Sequence, residues 1–76
     1  MEEERGIKVY IRVNENNEVV EINSEIFITD FTGWILIDEG FGDKYAHAQG
    51  NYLGENLTDD DGNYKFIYKN GKLSKK

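Results

Sequence analysis

The stretch Ile7–Ile22, IKVYIRVNENNEVVEI, decides the fold. Ile7, Val9, Ile11 and Val13 alternate with Lys8, Tyr10 and Arg12. A period of two, rich in β-branched residues, reads as a half-buried strand. Asn14–Asn17, NENN, is a turn cluster, and asparagine tolerates the left-handed backbone that tight turns demand. EVVEI, Glu18 to Ile22, then returns as a second strand. The two together predict an antiparallel hairpin.

Further along, Ile26 and Ile28 alternate around Phe27, which predicts a short extended piece. Asp30–Gly33, DFTG, has the composition of a turn. WILIDEG, Trp34 to Gly40, carries apolar residues on both sides, the pattern of a central strand covered on both faces, with Trp34 in the core. In GDKYAHAQGNYL, Gly42 to Leu53, Asp43 suits an N-cap and Gly50 a C-terminal stop. One short helix around 43–50 follows, with Tyr45 and Gln49 on a shared face. So short a helix needs packing to persist, and Tyr45, Tyr52 and Leu53 are its expected anchors. Gly54–Asn63 is a polar loop. YKFIYK, Tyr64 to Lys69, alternates again, and Asn70-Gly71 is a strong hairpin signal for a type I′ turn. KLS returns as a last short strand. The expected fold is mainly β: a small antiparallel sheet of four to five strands built from hairpins, with one short helix. Residues 1–76 form a single small domain, with 1–5 and 75–76 frayed.

The 76 residues include no cysteine and no proline, so disulfides and thiolate metal sites are excluded. The net charge of −6 disfavours nucleic acid, whose binding rests on neutralising phosphates. The charge is unevenly spread: residues 6–64 carry twelve acids and three bases, whereas 65–76 carry five lysines and no acid. This basic tail is expected to fold back on the acidic body, or to touch an acidic partner. No apolar run approaches the ~20 residues of a membrane-crossing helix. The start MEEERG is acidic, unlike the basic opening of a secretory signal, so Asn56-Leu57-Thr58 is read as a chance sequon.

Candidate chemistry is sparse. His47 is the single histidine. A zinc or iron site needs three or four ligands at set spacing, and a general base needs a pocket and a nucleophile, so His47 is read as a partly buried ring that orients its corner. Asp59-Asp60-Asp61-Gly62-Asn63 resembles part of an EF-hand loop. With Gly62 at the sixth place, however, Leu57 falls at the first and Tyr68 at the twelfth, so the segment reads as a solvated turn. Gly40-Phe41-Gly42 lacks the third glycine of a dinucleotide loop, Tyr45 holding that place, and its glycines are read as supplying positive φ for a tight corner. No catalytic residue, metal ligand or cofactor is assigned. The tyrosines, suited to cores and interfaces alike, give the candidate interaction surface: Tyr45, His47, Gln49, Tyr52, Tyr64 and Tyr68.

The run from Gly33-Trp34 through Ile37-Asp38-Glu39-Gly40, Gly42-Asp43-Lys44-Tyr45, His47-Ala48-Gln49 and Asn51-Tyr52 to Gly62-Asn63-Tyr64 resembles short proteins, and C-terminal segments of longer ones, encoded among the tail genes of phages and prophages of low-GC Gram-positive bacteria. The likeness runs from Ile7 to Leu73. It carries no catalytic residue with it. It implies a non-enzymatic structural or accessory protein of a tail or baseplate, working through protein partners or self-association. Its implied place is the virion tail, or the bacterial cytoplasm when expressed from a prophage. The alternative is a carbohydrate- or cell-wall-binding module using the tyrosine-rich face.

Overall fold

The computed structural model describes residues 6–76, so the expected fraying of 1–5 lies outside the described residues. The first hairpin forms as its pattern predicts. Strand β1 (Ile7–Val13) pairs antiparallel with β2 (Val19–Ser24). Asn17 closes the turn with φ 66°, and the Asn14 side-chain oxygen accepts from the backbone N–H groups of Asn16 and Glu18. β1 pairs on its other side with β3 (Ile35–Gly40), giving the order β2-β1-β3. Strands β4 (Phe66–Lys69) and β5 (Lys72–Lys75) form a second sheet. They turn on Asn70 and Gly71, both at positive φ as a type I′ turn requires.

The fold is thus mainly β and antiparallel, but the five strands among the described residues divide between two sheets. A bridge from Glu18 to Ile67 joins them, with the Tyr68 N–H donating to the Asn17 carbonyl at 2.9 Å. Phe66 reaches from β4 into the core with Val9, Ile11, Val19, Ile22 and Ala48. Fully burying a Val, Ile or Phe side chain is worth ~1.5–3 kcal/mol, so this handful of residues supplies most of the driving force. The basic tail folds back as expected. Lys65 and Lys75 both reach Glu55, at 2.7 and 3.0 Å, and Lys76 reaches Glu18 at 2.6 Å. At residues 75–76, where fraying is expected, Lys75 pairs with Phe66, and the Lys76 N–H donates to the Lys65 carbonyl.

Several local expectations are corrected. β3 lies at an edge, and β1 is the central strand. Leu36 of β3 faces solvent, 46% exposed, while Ile35 and Ile37 pack against the core, and Trp34 precedes the strand, half-buried. Ile26–Ile28 is not extended, because Glu25–Phe27 makes a 3-10 turn. The Glu25 carboxylate accepts from the Lys8 backbone N–H, pulling the chain off the sheet where the β1–β2 ladder ends. Ile28 turns inward there, while Ile26 and Phe27 stay exposed. The single helix is instead two short ones, α1 (Asp43–Ala46) and α2 (Ala48–Asn51), broken at His47. Gly42 rather than Asp43 is the N-cap, at φ 103°, and Gly50 sits inside α2 rather than ending it. Tyr45 and Gln49 therefore share no helix face. Gly40 is not at positive φ; it is small because the Tyr45 ring lies against it, and a Cβ there would meet that ring at 2.5 Å.

Candidate functional site

The helical corner is held by two polar groups that come from the sheet. The first is Ser24, fully buried at the end of β2. Its hydroxyl donates to the Tyr45 carbonyl and accepts from the Ala48 N–H at 2.9 Å. A carbonyl near the end of one helix and an N–H at the start of the next have no intrahelical partners. One hydroxyl satisfies both, and so lets the chain break at His47 inside the fold.

The second is Asp38. Strand alternation from Ile35 would put Asp38 on the face opposite Ile35, but a bulge opposite Val9 and Tyr10 shifts the register. Ile35 stands across from Ile11 and Asp38 across from Val9, so both take the inward face. There the Asp38 carboxylate accepts from the Tyr52 hydroxyl at 2.7 Å and the Tyr45 hydroxyl at 3.3 Å. The two rings meet edge to face at 5.8 Å, with the Lys44 ammonium 5.0 Å from one and 5.5 Å from the other. The Tyr52 hydroxyl and the Glu39 backbone N–H hold the Asp38 carboxyl below its ordinary range, against the effect of burial. Burial, then Asp38 itself, pushes the Tyr52 hydroxyl well up, and Tyr45 moves the same way for the same causes. A general acid or base works best with a pKa near the operating pH. These groups are tuned away from it, as a clamp requires.

The six residues of the candidate surface do not converge. Tyr45 and Tyr52 belong to the clamp. Tyr68 packs against the core from β4, and Tyr64 bridges Thr58 at the start of the last hairpin, half-buried. His47 and Gln49 are exposed on the far side of the helix break. His47 is thus not the partly buried ring expected. The break turns its imidazole outward, 6.1 Å from the Phe27 ring. With Asn23, Phe27, Gly50 and Asn51, His47 and Gln49 line a cleft of about 260 Å³.

A third feature is the outer face of the three-stranded sheet. Tyr10 and Leu36 are cross-strand partners there. The Phe31 ring, 44% exposed, lies 4.9 Å from Tyr10, and the Arg12 guanidinium sits 5.6 Å from the Trp34 ring. Arg12 also pairs with Glu21 at 2.7 Å.

The acidic loop keeps its ligands for itself. The Asp59 carboxylate accepts from the backbone N–H groups of Asp61 and Asn63, each at 2.9 Å, which lowers its pKa. Among the described residues, no group of three His, Asp or Glu side chains is arranged to hold a metal ion, and no helix is long and apolar enough to cross a membrane.

Sequence reasoning passed over Ser24, Asp38 and Phe27. Ser24 left a signal, being two residues after Ile22 and so a polar residue on the apolar parity. Asp38 left none, because its face depends on the bulge. Phe27 lies in a stretch whose alternation predicts a strand, whereas the 3-10 turn leaves its ring exposed. Fold and site together define a small mainly β protein of two antiparallel sheets with a clamped helical corner. Comparison with known protein families, curated proteins and solved structures gave no match.

Proposed function

We propose that the protein is a non-enzymatic structural or accessory component of a phage or prophage tail, acting through protein contacts, and that its first partner is a second copy of itself. The observation that carries the self-contact is the outer sheet face: Tyr10, Phe31, Trp34 and Leu36 side by side on an edge-strand sheet. Large contiguous exposed apolar surface on a small domain marks an interaction site. Charge selects which face a second copy can approach. The body from residue 6 to 64 is strongly acidic, so two copies repel over most of their surface. On this face Lys8 and Arg12 stand opposite Glu39 and Glu21, so it is locally neutral and offers the approach of least repulsion. The free edge of β3 lies beside it, with backbone groups available for pairing. The tail setting rests on the resemblance described above.

Sedimentation velocity over a concentration series tests the self-contact. Wild type is expected to show a concentration-dependent dimer, and Leu36→Lys a monomer of unchanged melting temperature. Trp34→Ala is expected to fold, with weakened association. A wild-type chain that stays monomeric up to about 1 mM, where association is worth only ~4 kcal/mol, overturns the reading. Co-sedimentation with the products of neighbouring tail genes tests the setting.

A further inference from the structure

We propose that the cleft between the Glu25–Phe27 turn and α2 binds a single neutral pyranose unit, a hexose or N-acetylhexosamine, through the Phe27 ring and the side chains of Asn23, His47, Gln49 and Asn51.

The lining is the first argument. It contains no Asp, Glu, Lys or Arg, although the body around it is strongly acidic. Three of its six residues are carboxamides and one is an imidazole. A carboxamide offers donors and an acceptor at once, and a neutral imidazole offers one of each. Vicinal hydroxyls need that mixture, whereas an anion needs donors alone and a cation acceptors alone. These groups are also free. Among the described residues the Asn23 oxygen accepts from the Ser24 N–H, and the side chains of His47, Gln49 and Asn51 hydrogen-bond to no other residue.

The second argument is Phe27. It is 57% exposed and takes no part in the core. Its ring inclines 35° to the His47 ring, so the two form an open wall and not a closed stack. The negative face of an aromatic ring attracts polarised C–H groups, and the axial C–H face of a pyranose supplies them in a flat array. An apolar wall with a few placed polar groups is the general form of a small-molecule site.

Size is the third. About 260 Å³ falls just under the roughly 300–1,000 Å³ of pockets for drug-sized ligands, which leaves room for one ring and not a chain of them. Gly50 keeps that space open. A Cβ there would meet nothing within 4 Å, and its backbone φ is one that any residue adopts. The cleft borders the outer-face patch, since Asn23 stands across from Tyr10. Leu36→Lys, on the β3 side of that patch, separates the two readings, because it is expected to abolish self-association and to leave sugar binding intact.

The experiment is an amide chemical-shift titration of the full chain with glucose, galactose, N-acetylglucosamine and N-acetylgalactosamine. At least one is expected to give saturable shifts confined to residues 23–27 and 47–51, with a dissociation constant on the order of 1–10 mM, as befits a shallow site with one stacking ring. Phe27→Ala removes the wall, and Gly50→Gln fills the cleft from a position where the side chain meets no neighbour. Each is expected to weaken binding about tenfold or more while the rest of the spectrum is unchanged. No saturable shift with any of the four sugars at about 50 mM, well above the expected constant, overturns the proposal. So does binding that both variants leave intact, or shifts that fall on Tyr64 and Tyr68 instead.

Discussion

Replacing Ser24 by Ala is the sharpest test of how the corner is held. The substitution removes one oxygen from a fully buried site and leaves little void. What it exposes is the need of two backbone groups. The Ala48 N–H loses its acceptor, and Ala48 is 1% exposed, so water has no route to replace it. The Tyr45 carbonyl loses its donor, though Tyr45 is only half-buried and gains some relief from solvent. An orphaned buried group costs ~1–3 kcal/mol, so the pair should cost about 2–4 kcal/mol. Folded domains are stable by ~0.05–0.15 kcal/mol per residue, which for this chain is about 4–11 kcal/mol. The loss is then a large share of the whole. At ~4–8 °C per kcal/mol for a domain of this size, the melting temperature should fall by about 8–32 °C.

Circular-dichroism melts and urea titrations read this directly. The urea midpoint should fall with an unchanged slope, since the surface exposed on unfolding is the same. Ser74→Ala, a serine exposed on β5, is the control and should stay within ~0.5 kcal/mol of wild type. A Ser24→Ala chain melting within about 3 °C of wild type, under ~1 kcal/mol by the same scaling, would refute the reasoning. It would mean that the helix break is set by its own sequence and not by the hydroxyl.

Two further outcomes are expected. Gly40→Ala drives a Cβ to 2.5 Å from the Tyr45 ring and should cost about 1–3 kcal/mol, the usual range for overpacking, with part recovered in a Gly40→Ala/Tyr45→Ala double variant; additive losses in urea titrations would sink the contact. Acid should unfold the chain: Asp38, Glu18, Glu55 and Asp59 are all depressed in the folded state, chiefly by hydrogen bonds from Tyr52, Lys76, Lys65 and Asn63 respectively, so their contribution is complete above the unfolded carboxylate range of ~4 and is lost as pH falls through the lower folded values. A melting temperature that holds steady from pH 6 down to about 2 would contradict it.

What the sequence made legible is local. The NENN and Asn-Gly turns each declare themselves through residues that accept positive φ, and the strands beside them follow from a period of two. The charge split correctly placed the basic tail against the acidic body, because opposite charges on one short chain have few other places to go. The tertiary features were not legible. A strand apolar on both sides reads as central, yet the same composition describes an edge strand with an exposed sticky face, and only the pairing order separates them. The helix looked continuous because nothing between Asp43 and Gly50 breaks a helix by propensity. Its break is imposed from 24 residues away, by the Ser24 hydroxyl on Ala48.

The two bulges show why the site in particular was hidden. β1 has a partner on each side, and each partner carries one extra residue. In β2 the extra residue falls between Val19 and Glu21, in β3 between Leu36 and Asp38. A bulge flips the faces of everything beyond it. Val19 and Ile22, three apart, therefore both point into the core, and so do Ile35 and Asp38. Strict alternation cannot yield either pair. In β2 the flip keeps the core apolar, returning Ile22 inward with Ser24 two residues on. In β3 the flip carries a carboxylate inward, to a place where an unpartnered charge would be expensive. The corner answers with two tyrosine hydroxyls, and the need to present both from one side sets where Tyr45 and Tyr52 must lie. Gly40 then has to be small for the Tyr45 ring to pass. One inserted residue in an edge strand thus links the clamp, the glycine and the packing of the helices. It follows that deleting Ile37 should remove the bulge and keep the clamp, because plain alternation from Ile35 opposite Ile11 through Leu36 opposite Tyr10 still sets Asp38 opposite Val9, on the inward face. In urea titrations Asp38→Ala should then cost as much in the deletion background as in the wild type, and a carboxylate whose removal costs nothing there would show that the pairing had slipped.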